Sequence, residues 1–244
     1  MIHNSLPPPL FVKNLSCRYS QQEDYALTDI SFTAKSGTIT GVLGPNGAGK
    51  STFLKSALDL LPHEGEVEFF GGKLSNNRKK IAYIPQRNSV DWEFPVSALD
   101  VCLMGMYPRI GWLKRITKSN KDEAMQYLEQ VKLQDFADRQ IGALSGGQQQ
   151  RVFMARALAQ KAELFLLDEP MAGVDQSTQL LLFDLFDKLK TQGKTILIIH
   201  HNLQAASKHF DNILLLNRSI ISNGSSDEAL TPGNISRAYR PVET

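Results

Sequence analysis

The residues with the clearest chemical meaning form a glycine-rich run that ends in a lysine and two hydroxyl side chains. The run comprises Gly44, Pro45, Asn46, Gly47, Ala48, Gly49, Lys50, Ser51 and Thr52. It fits G-x-x-x-x-G-K-[ST], in which glycines let backbone N–H groups turn towards phosphate oxygens. Lys50 would neutralise the β and γ phosphates of a nucleotide, and the Ser51 hydroxyl would hold Mg²⁺. The pattern predicts a nucleotide site, with a purely structural glycine turn as the alternative.

The segments on either side of this run bear on whether it can hold phosphate. Residues 38–43 are β-branched and apolar, which predicts a strand, and residues 52–61 have a helical pattern. A strand, a glycine loop and a helix in this order place the helix N-terminus, with its partial positive charge, at the phosphates. This context favours phosphate binding over a structural turn.

A pair of carboxylates follows the apolar run Leu164–Leu167. Such a run predicts a buried strand, and open α/β sheets bind ligands beyond the carboxyl ends of their strands. Asp168 would then reach Mg²⁺ directly or through water, and Glu169 would polarise a water that attacks the γ phosphate. The alternative is an ordinary surface pair, which the four preceding apolar residues disfavour.

A second candidate anion site consists of Leu144, Ser145, Gly146, Gly147 and Gln148. The serine is a good helix N-cap, and the glycines leave N–H groups exposed where the helix begins. One nucleotide site does not obviously need two such helix starts, whereas a head-to-tail pair of chains would use both. On its own, the segment could be a simple helix cap.

Together, the phosphate loop and the segments 144–148 and 164–170 resemble, in order and spacing, the ATP-binding subunit of ABC transporters. The resemblance covers nearly the whole chain. It implies a Mg²⁺-dependent ATPase in which two subunits enclose two ATP molecules. Each site would join residues 44–52 of one chain to residues 145–148 of the other.

The resemblance also assigns roles to residues outside these motifs. Tyr19 would lie against the adenine ring, with Tyr25 as a weaker candidate, and an ordinary half-buried strand tyrosine is the alternative. Gln86 would contact Mg²⁺ and the attacking water. Asp175 matches the aspartate of a loop that crosses the dimer interface, and it could also be a helix N-cap.

Two histidines, His200 and His201, follow a predicted strand at the point where the family has a histidine that contacts the γ phosphate. Alignment on the strand end and on Leu203 selects His201 for this role. Asn202 stands in place of the usual acidic residue, and its amide can still form hydrogen bonds. A paired-histidine metal site is the alternative, but neighbouring strand residues point to opposite faces and rarely chelate one ion.

The composition is that of an ordinary globular protein of 244 residues, 42% of them hydrophobic and 21% charged. The formal net charge of +2 is too small to indicate a nucleic-acid partner. Two cysteines do not make a disulfide framework. Residues 1–9 lack the features of a secretory signal, and no apolar run approaches the roughly 20 residues that span a bilayer. We therefore expect any role at a membrane to depend on partners.

Alternating strands and helices from residue 146 onwards favour a parallel α/β sheet with crossover helices. With the resemblance, the expected fold is a P-loop ATPase core: a mixed, mainly parallel sheet with flanking helices and an antiparallel N-terminal β subdomain. Residues 1–86 and 145–244 would form this ATP-binding core within a single domain spanning 1–244. Residues 87–144, aromatic and then helical in pattern, would form a helical subdomain that contacts a membrane partner.

The aromatic-rich segment 86–111 and residues 137–141 resemble the branch of the family that imports manganese, zinc and iron. That resemblance implies integral membrane permease subunits, an extracytoplasmic metal-binding protein acting through them, a second copy of this chain and a peripheral place on the cytoplasmic face of the cell membrane. The five histidines and two cysteines are scattered without metal-ligand spacing, so the partners would select the ion. The alternative is that the aromatic residues only pack the helical insertion.

Three other functions share parts of this pattern. The same chemistry could power import of an iron–siderophore or cobalamin-type chelate. A soluble ABC ATPase of translation or DNA repair predicts two fused cassettes, or a long coiled-coil or basic insertion, and the sequence has neither. A nucleotide-binding kinase would not need residues 144–148.

Overall fold

The computed structural model describes residues 6–19, 24–111 and 113–240. Its strands are β1 (Phe11–Cys17), β2 (Leu27–Thr33), β3 (Ile39–Leu43), β4 (Glu64–Glu68), β5 (Ile81–Ile84), β6 (Leu164–Leu167), β7 (Thr195–Ile199), β8 (Asn212–Asn217) and β9 (Ser219–Gly224). Its helices are α1 (Lys50–Ala57), α2 (Leu74–Asn77), α3 (Ala98–Met104), α4 (Tyr107–Ile110), α5 (Lys118–Gln130), α6 (Gly146–Ala159), α7 (Gln176–Thr191), α8 (Leu203–His209), α9 (Ser226–Ala229) and α10 (Pro232–Tyr239). The chain forms two compact units, Met1–Arg78 with Leu189–Thr244 and Lys79–Lys188.

The first unit contains strands arranged around β3, which is buried along its whole length. β7 and β8 pair with it in parallel, one on each side, and β9 lies antiparallel to β8. β7 is buried throughout as well, as expected for a parallel strand covered on both faces. Since β3 ends at Leu43, the glycine-rich run emerges at the carboxyl edge of these strands.

Gly41 allows an aromatic ring to pack directly on the backbone of β3. A Cβ atom at this position would lie 2.3 Å from Cδ2 of Phe210. The next residue of that segment, Asp211, accepts a 2.8 Å hydrogen bond from the N–H of Ile39 and a 3.0 Å bond from Lys190 Nζ. These contacts fix the start of the strand that leads to the phosphate loop.

The first unit also contains an antiparallel sheet near the N-terminus, in which β1 pairs with β2 on one side and β4 on the other. Burial in β2 largely alternates along the strand, so one face packs inwards and the other faces solvent. Mainly parallel strands with flanking helices and an antiparallel β subdomain are the fold class that the sequence predicts, and this prediction is confirmed.

The second unit combines the parallel pair β5 and β6 with three mutually packed helices, α3, α5 and α6. Each of these helices begins with a serine or threonine in a capping box, namely Ser97, Thr117 and Ser145. At the end of α3, a Cβ on Gly105 would lie 2.0 Å from the carbonyl oxygen of Arg156 in α6. The absence of a side chain there is what lets the two helices approach so closely.

Within the described ranges, no helix has both the length and the apolar character needed to cross a membrane.

Candidate functional site

The phosphate loop wraps around the amino group of its own lysine. Lys50 is the first residue of α1, is 7% exposed, and donates from Nζ to the carbonyl oxygens of Gly44 at 2.9 Å and Pro45 at 2.8 Å. These bonds hold a full positive charge at the helix N-terminus, where the partial positive charge of the peptide dipoles also lies. A loop with this charge and these N–H groups suits a polyphosphate.

Two glycines of the loop are required by the backbone around them. At Gly44 a Cβ would lie 2.0 Å from the carbonyl oxygen of Leu216, and at Gly49 it would lie 2.5 Å from Cδ2 of Leu27. Gly49 also has a φ of +89° and forms the N-cap of α1, a conformation that favours glycine. Larger residues at either position would displace the loop from β8 or β2.

Tyr19 stands beside the first turn of α1. Its hydroxyl oxygen lies 2.9 Å from Oγ1 of Thr52, and its side chain is 41% exposed. The ring thus has a surface that a nucleotide base could cover. Tyr25 is engaged elsewhere, because its hydroxyl donates to Glu64 Oε1 at 3.2 Å and its ring faces the Arg18 guanidinium.

The two histidines after β7 have different environments. His200 is 5% exposed, and its ring packs edge-on against Phe210. Burial, aided by the neighbouring charges of His201 and His209, lowers the pKa of His200 to about 4, so it is neutral near pH 7. His201 is exposed, at the edge where both β3 and β7 end. Asn202, which follows, caps α8 by accepting from the N–H of Ala205 at 3.0 Å.

In the second unit, the carboxylate pair lies at the end of β6, next to the end of β5. Asp168 is fully buried, and its N–H donates to the carbonyl oxygen of Ile84 at 2.9 Å. Glu169 has a φ of +51°, and its Oε2 accepts a 3.0 Å hydrogen bond from Gln86 Nε2. Gln86 and Glu169 are 83 residues apart in the chain, so the pairing of β5 with β6 is what brings them together.

Tyr83, whose hydroxyl is buried next to this pair, was not predicted as part of the site. Burial, aided by the negative charge of Asp168, raises the pKa of Tyr83 to about 12. Its hydroxyl oxygen has no hydrogen-bond partner within the described part of the chain. The only signal in the sequence was its place in β5, which does not distinguish it from a packing residue.

The turn that begins α6 is a capping box. Ser145 Oγ accepts from the N–H of Gln148 at 3.3 Å, and Gln148 Oε1 accepts from the N–H of Ser145 at 2.8 Å. A Cβ on Gly147 would lie 3.6 Å from Asp175 Oδ2, so the Asp175 loop packs against this turn. Ser145 is therefore the N-cap of α6, as both interpretations predict, and its side chain is exposed.

Asp175 is itself the cap of α7, as the alternative interpretation predicts. Its carboxylate accepts hydrogen bonds from the Ser177 hydroxyl and from the N–H and hydroxyl of Thr178 at 2.9 and 2.8 Å. These donors stabilise the charged form and hold the pKa of Asp175 well below its usual range.

The predicted residues thus fall into two groups, one in each unit. The first unit holds Tyr19, the phosphate loop and His201, and the second holds Gln86, Asp168 and Glu169 together with residues 145–148. No group of three or more histidine, cysteine, aspartate or glutamate side chains suited to a metal ion occurs in the described ranges.

Two contacts in this region were not predicted. Arg87 binds Gln149 of α6, and the hydroxyl of Tyr239 in α10 interacts with the backbone N–H of Gly44. Burial raises the pKa of Tyr239, and this N–H opposes the shift. No local pattern signals either contact, because the partners lie 62 or more residues apart.

Comparison with known sequences finds one family over most of the chain. A family model described as an ABC transporter matches residues 27–172. The chain is 46% identical to a manganese transport system ATP-binding protein, MntB, of Bacillus subtilis (strain 168), over 95% of this chain and 92% of that protein. It is 46% identical to a zinc transport system ATP-binding protein, TroB, of Treponema pallidum (strain Nichols), over 93% of this chain and 85% of that protein.

Solved structures give the same result at the level of the fold. An inward-facing putative metal-chelate type ABC transporter matches with a TM-score of 0.82 and 29% identity, over 95% of this chain and 89% of that one. A dimeric ATP-binding cassette in a post-hydrolysis state, bound to ADP and Pi, matches with a TM-score of 0.78 and 28% identity, over 89% and 98%.

Proposed function

Because this chain belongs to the ABC transporter family, we propose that it is the ATP-hydrolysing subunit of a transporter that imports a divalent metal ion. The observation that supports a divalent metal ion as the cargo is the similarity to manganese and zinc transport subunits over more than nine-tenths of the chain. Manganese, zinc and iron are the candidate ions. The membrane partners would select among them. The described residues include no cluster of three or more histidine, cysteine, aspartate or glutamate side chains that could hold the transported ion.

The residues proposed to hold Mg²⁺ are Ser51, Gln86 and Asp168. Hydroxyl, amide and carboxylate oxygens are the donor set that Mg²⁺ prefers, so the residue types fit the ion. The Gln86 amide donates its N–H to Glu169, an orientation that leaves its oxygen for a cation. When bound with ATP, the ion would neutralise charge on the β and γ phosphates.

We assign the chemistry to Glu169, with Gln86 and His201 completing the shell around the γ phosphate. Glu169 would take a proton from water as the water oxygen attacks phosphorus, and ADP would leave with the electrons of the broken P–O bond. Lys50 would bind the β and γ phosphates throughout. The hydrogen bond from Gln86 supports this assignment because it fixes the direction of the Glu169 carboxylate.

The second half of each site would come from another copy of this chain. Residues 145–148 present a helix start and an exposed serine, and a related cassette that matches this chain is dimeric. In a head-to-tail dimer this turn would cap the phosphate that residues 44–52 of the partner hold. We propose that the two chains of this dimer are identical.

The segment 87–144 is our candidate for the contact with integral membrane permease subunits. Phe94, Met104, Tyr107 and Leu113 expose between 37% and 88% of their surface in this segment. The exposure of four large apolar side chains in one segment supports the proposal of a protein-binding surface there. The chain would then sit peripherally on the cytoplasmic face of the membrane, with an extracytoplasmic metal-binding protein acting through the permease.

One alternative cargo has its own support, namely a metal chelate such as an iron–siderophore. It is supported by the match to a putative metal-chelate type ABC transporter, whose identity of 29% is lower than that of the manganese and zinc relatives. ATP hydrolysis by the complex reconstituted with its permease and capture protein separates the two. Free manganese, zinc or iron on the capture protein should stimulate hydrolysis, whereas stimulation only by a chelate would contradict metal-ion import.

A further inference from the structure

Arg87 connects the residue proposed to touch the γ phosphate with the turn proposed to serve the other ATP. Its Nε and Nη2 donate to Gln149 Oε1 at 3.1 and 2.9 Å. Gln149 is 3% exposed, and its Nε2 donates to the carbonyl oxygen of Ile141 at 3.1 Å. The acceptor is therefore held in one orientation, and the arginine is fixed to the first turn of α6.

The guanidinium lies against the backbone of that turn and beside an aromatic pair. A Cβ on Gly146 would lie 3.0 Å from Arg87 Cζ. Trp92 Nε1 donates to the carbonyl oxygen of Arg87 at 2.8 Å, and its ring centroid is 4.9 Å from that of Phe153 in α6. The backbone and the side chain of Arg87 are thus both attached to the helix that carries the capping turn.

The neighbouring residue is attached to the catalytic side of the site. Gln86 donates to Glu169, and one peptide bond joins it to Arg87. A change in the position of Gln86, such as contact with Mg²⁺ and the γ phosphate would produce, must therefore move Arg87 or strain its bonds to Gln149. The turn 145–148 of the same chain would then move with Arg87.

We propose that Arg87 is a positioning residue that couples the two ATP sites of the dimer. Through Arg87, the position of the capping turn 145–148, which completes the partner's site, depends on whether its own chain holds a γ phosphate. This inference rests on the proposed head-to-tail ATPase. Two donors on a planar fork are needed to hold one oxygen in this way, and a lysine offers a point charge without that geometry.

The test measures ATP hydrolysis by the full-length chain against ATP concentration, for the unmodified protein, Arg87→Lys and Arg87→Ala. The unmodified dimer should give a Hill coefficient well above 1. Both variants should lower it towards 1 and reduce kcat at least tenfold, while ATP binding to the monomer stays within about twofold. Arg139→Ala is the matched control, because this arginine belongs to the same unit, is exposed and contacts the Phe136 ring.

A second variant keeps the test decisive if Arg87→Ala fails to fold. Gln149→Leu removes the acceptor from the other side of the contact and should cause the same loss of cooperativity. The proposal is overturned if Arg87→Lys keeps both the Hill coefficient and kcat, if the unmodified enzyme shows no cooperativity, or if Arg87→Ala weakens monomer binding as much as hydrolysis. Absence of ATP hydrolysis by the unmodified chain would instead contradict the proposed function.

Discussion

Glu169 lies in the left-handed backbone region, where a non-glycine residue costs on the order of 1 kcal/mol or more. Its carboxylate is also held by the amide of Gln86. Strained conformations cluster at functional sites, although a positive φ is not confined to the site here. It also occurs at Asn14, Asp29, Asp59, Phe70, Lys132, Lys161 and Arg218. The backbone and Gln86 together fix the direction of the carboxylate, which is what a base aimed at one water molecule requires.

Replacing this carboxylate by an amide tests its role directly. Glu169→Gln keeps an acceptor for Gln86 but cannot take a proton, so kcat should fall by roughly 10²–10⁴, the usual contribution of a general base. ATP binding should remain, and the protein should accumulate as an ATP-bound dimer on gel filtration. Glu163→Gln, at an exposed position just before β6, is the control and should hydrolyse ATP normally. Near-normal ATP hydrolysis by Glu169→Gln would contradict the assignment of Glu169 as the general base.

We expect His200 to make the free energy of unfolding depend on pH. Its folded-state pKa of about 4 lies below the ordinary histidine value of 6.5, mainly because of burial. The unfolded chain therefore binds the proton first as pH falls, and stability is lost between about pH 6.5 and 4. The loss should reach about 2 kcal/mol at pH 5. Urea unfolding of His200→Gln should show a flatter pH profile over this range than the unmodified chain.

A control histidine keeps this measurement specific. His63 is half-buried, with its Nε2 3.2 Å from Asp59 Oδ1, and His63→Gln should retain the pH dependence of the unmodified chain. Equal slopes for the unmodified protein and His200→Gln would show that the buried ring does not cause the effect.

At the scale of helices, the same capping box occurs at a serine proposed to bind ATP and at a threonine with no proposed functional role. Ser145 and Thr117 cap α6 and α5 with the same hydrogen-bond pattern. Replacing either by alanine should cost about 1 kcal/mol of unfolding free energy, since one backbone N–H loses its partner.

Only one of these two caps should matter for hydrolysis. Ser145→Ala should lower ATPase activity beyond what its stability loss explains, because its hydroxyl is proposed to touch the partner's ATP. Thr117→Ala should leave activity unchanged at 25 °C. If the two variants lose stability and activity in parallel, Ser145 is a cap alone.

Several helices and strands could be predicted from sequence because strong local patterns agree with the tertiary structure. β6 has the predicted bounds, Leu164–Leu167, and β3 lies within the segment 38–43 that was predicted as a strand. α1 begins at Lys50, two residues before the predicted start, because the last glycine of the loop already acts as its N-cap.

Other elements were missed because their signals are weak or come from tertiary contacts. α10 was not predicted; it begins at Pro232 with Thr231 as its cap, and Asn217 in β8 binds its Ala238 carbonyl at 2.9 Å. The packing that stabilises so short a helix cannot be read from its own residues.

For the molecule as a whole, the motifs predict the chemistry, and the structure adds how each motif is held. The glycine run, the carboxylate pair and the capping turn were visible because each chemistry demands particular residue types at fixed spacing. The contact of Arg87 with Gln149 was not, because it joins residues 62 apart and needs the packing of α6 to exist. How the predicted residues act together remains a prediction.

The head-to-tail arrangement is the central claim, and a crosslink between two differently tagged chains tests it most directly. Asn46 and Ser145 are both exposed, whereas Cys17 and Cys102 are buried. One chain would carry Asn46→Cys and the other Ser145→Cys, each with Glu169→Gln to retain ATP. The account predicts an ATP-dependent crosslink between the two tags and none between chains of the same tag. An ATP-dependent dimer that fails to form this crosslink, or forms it only between identical chains, would contradict it.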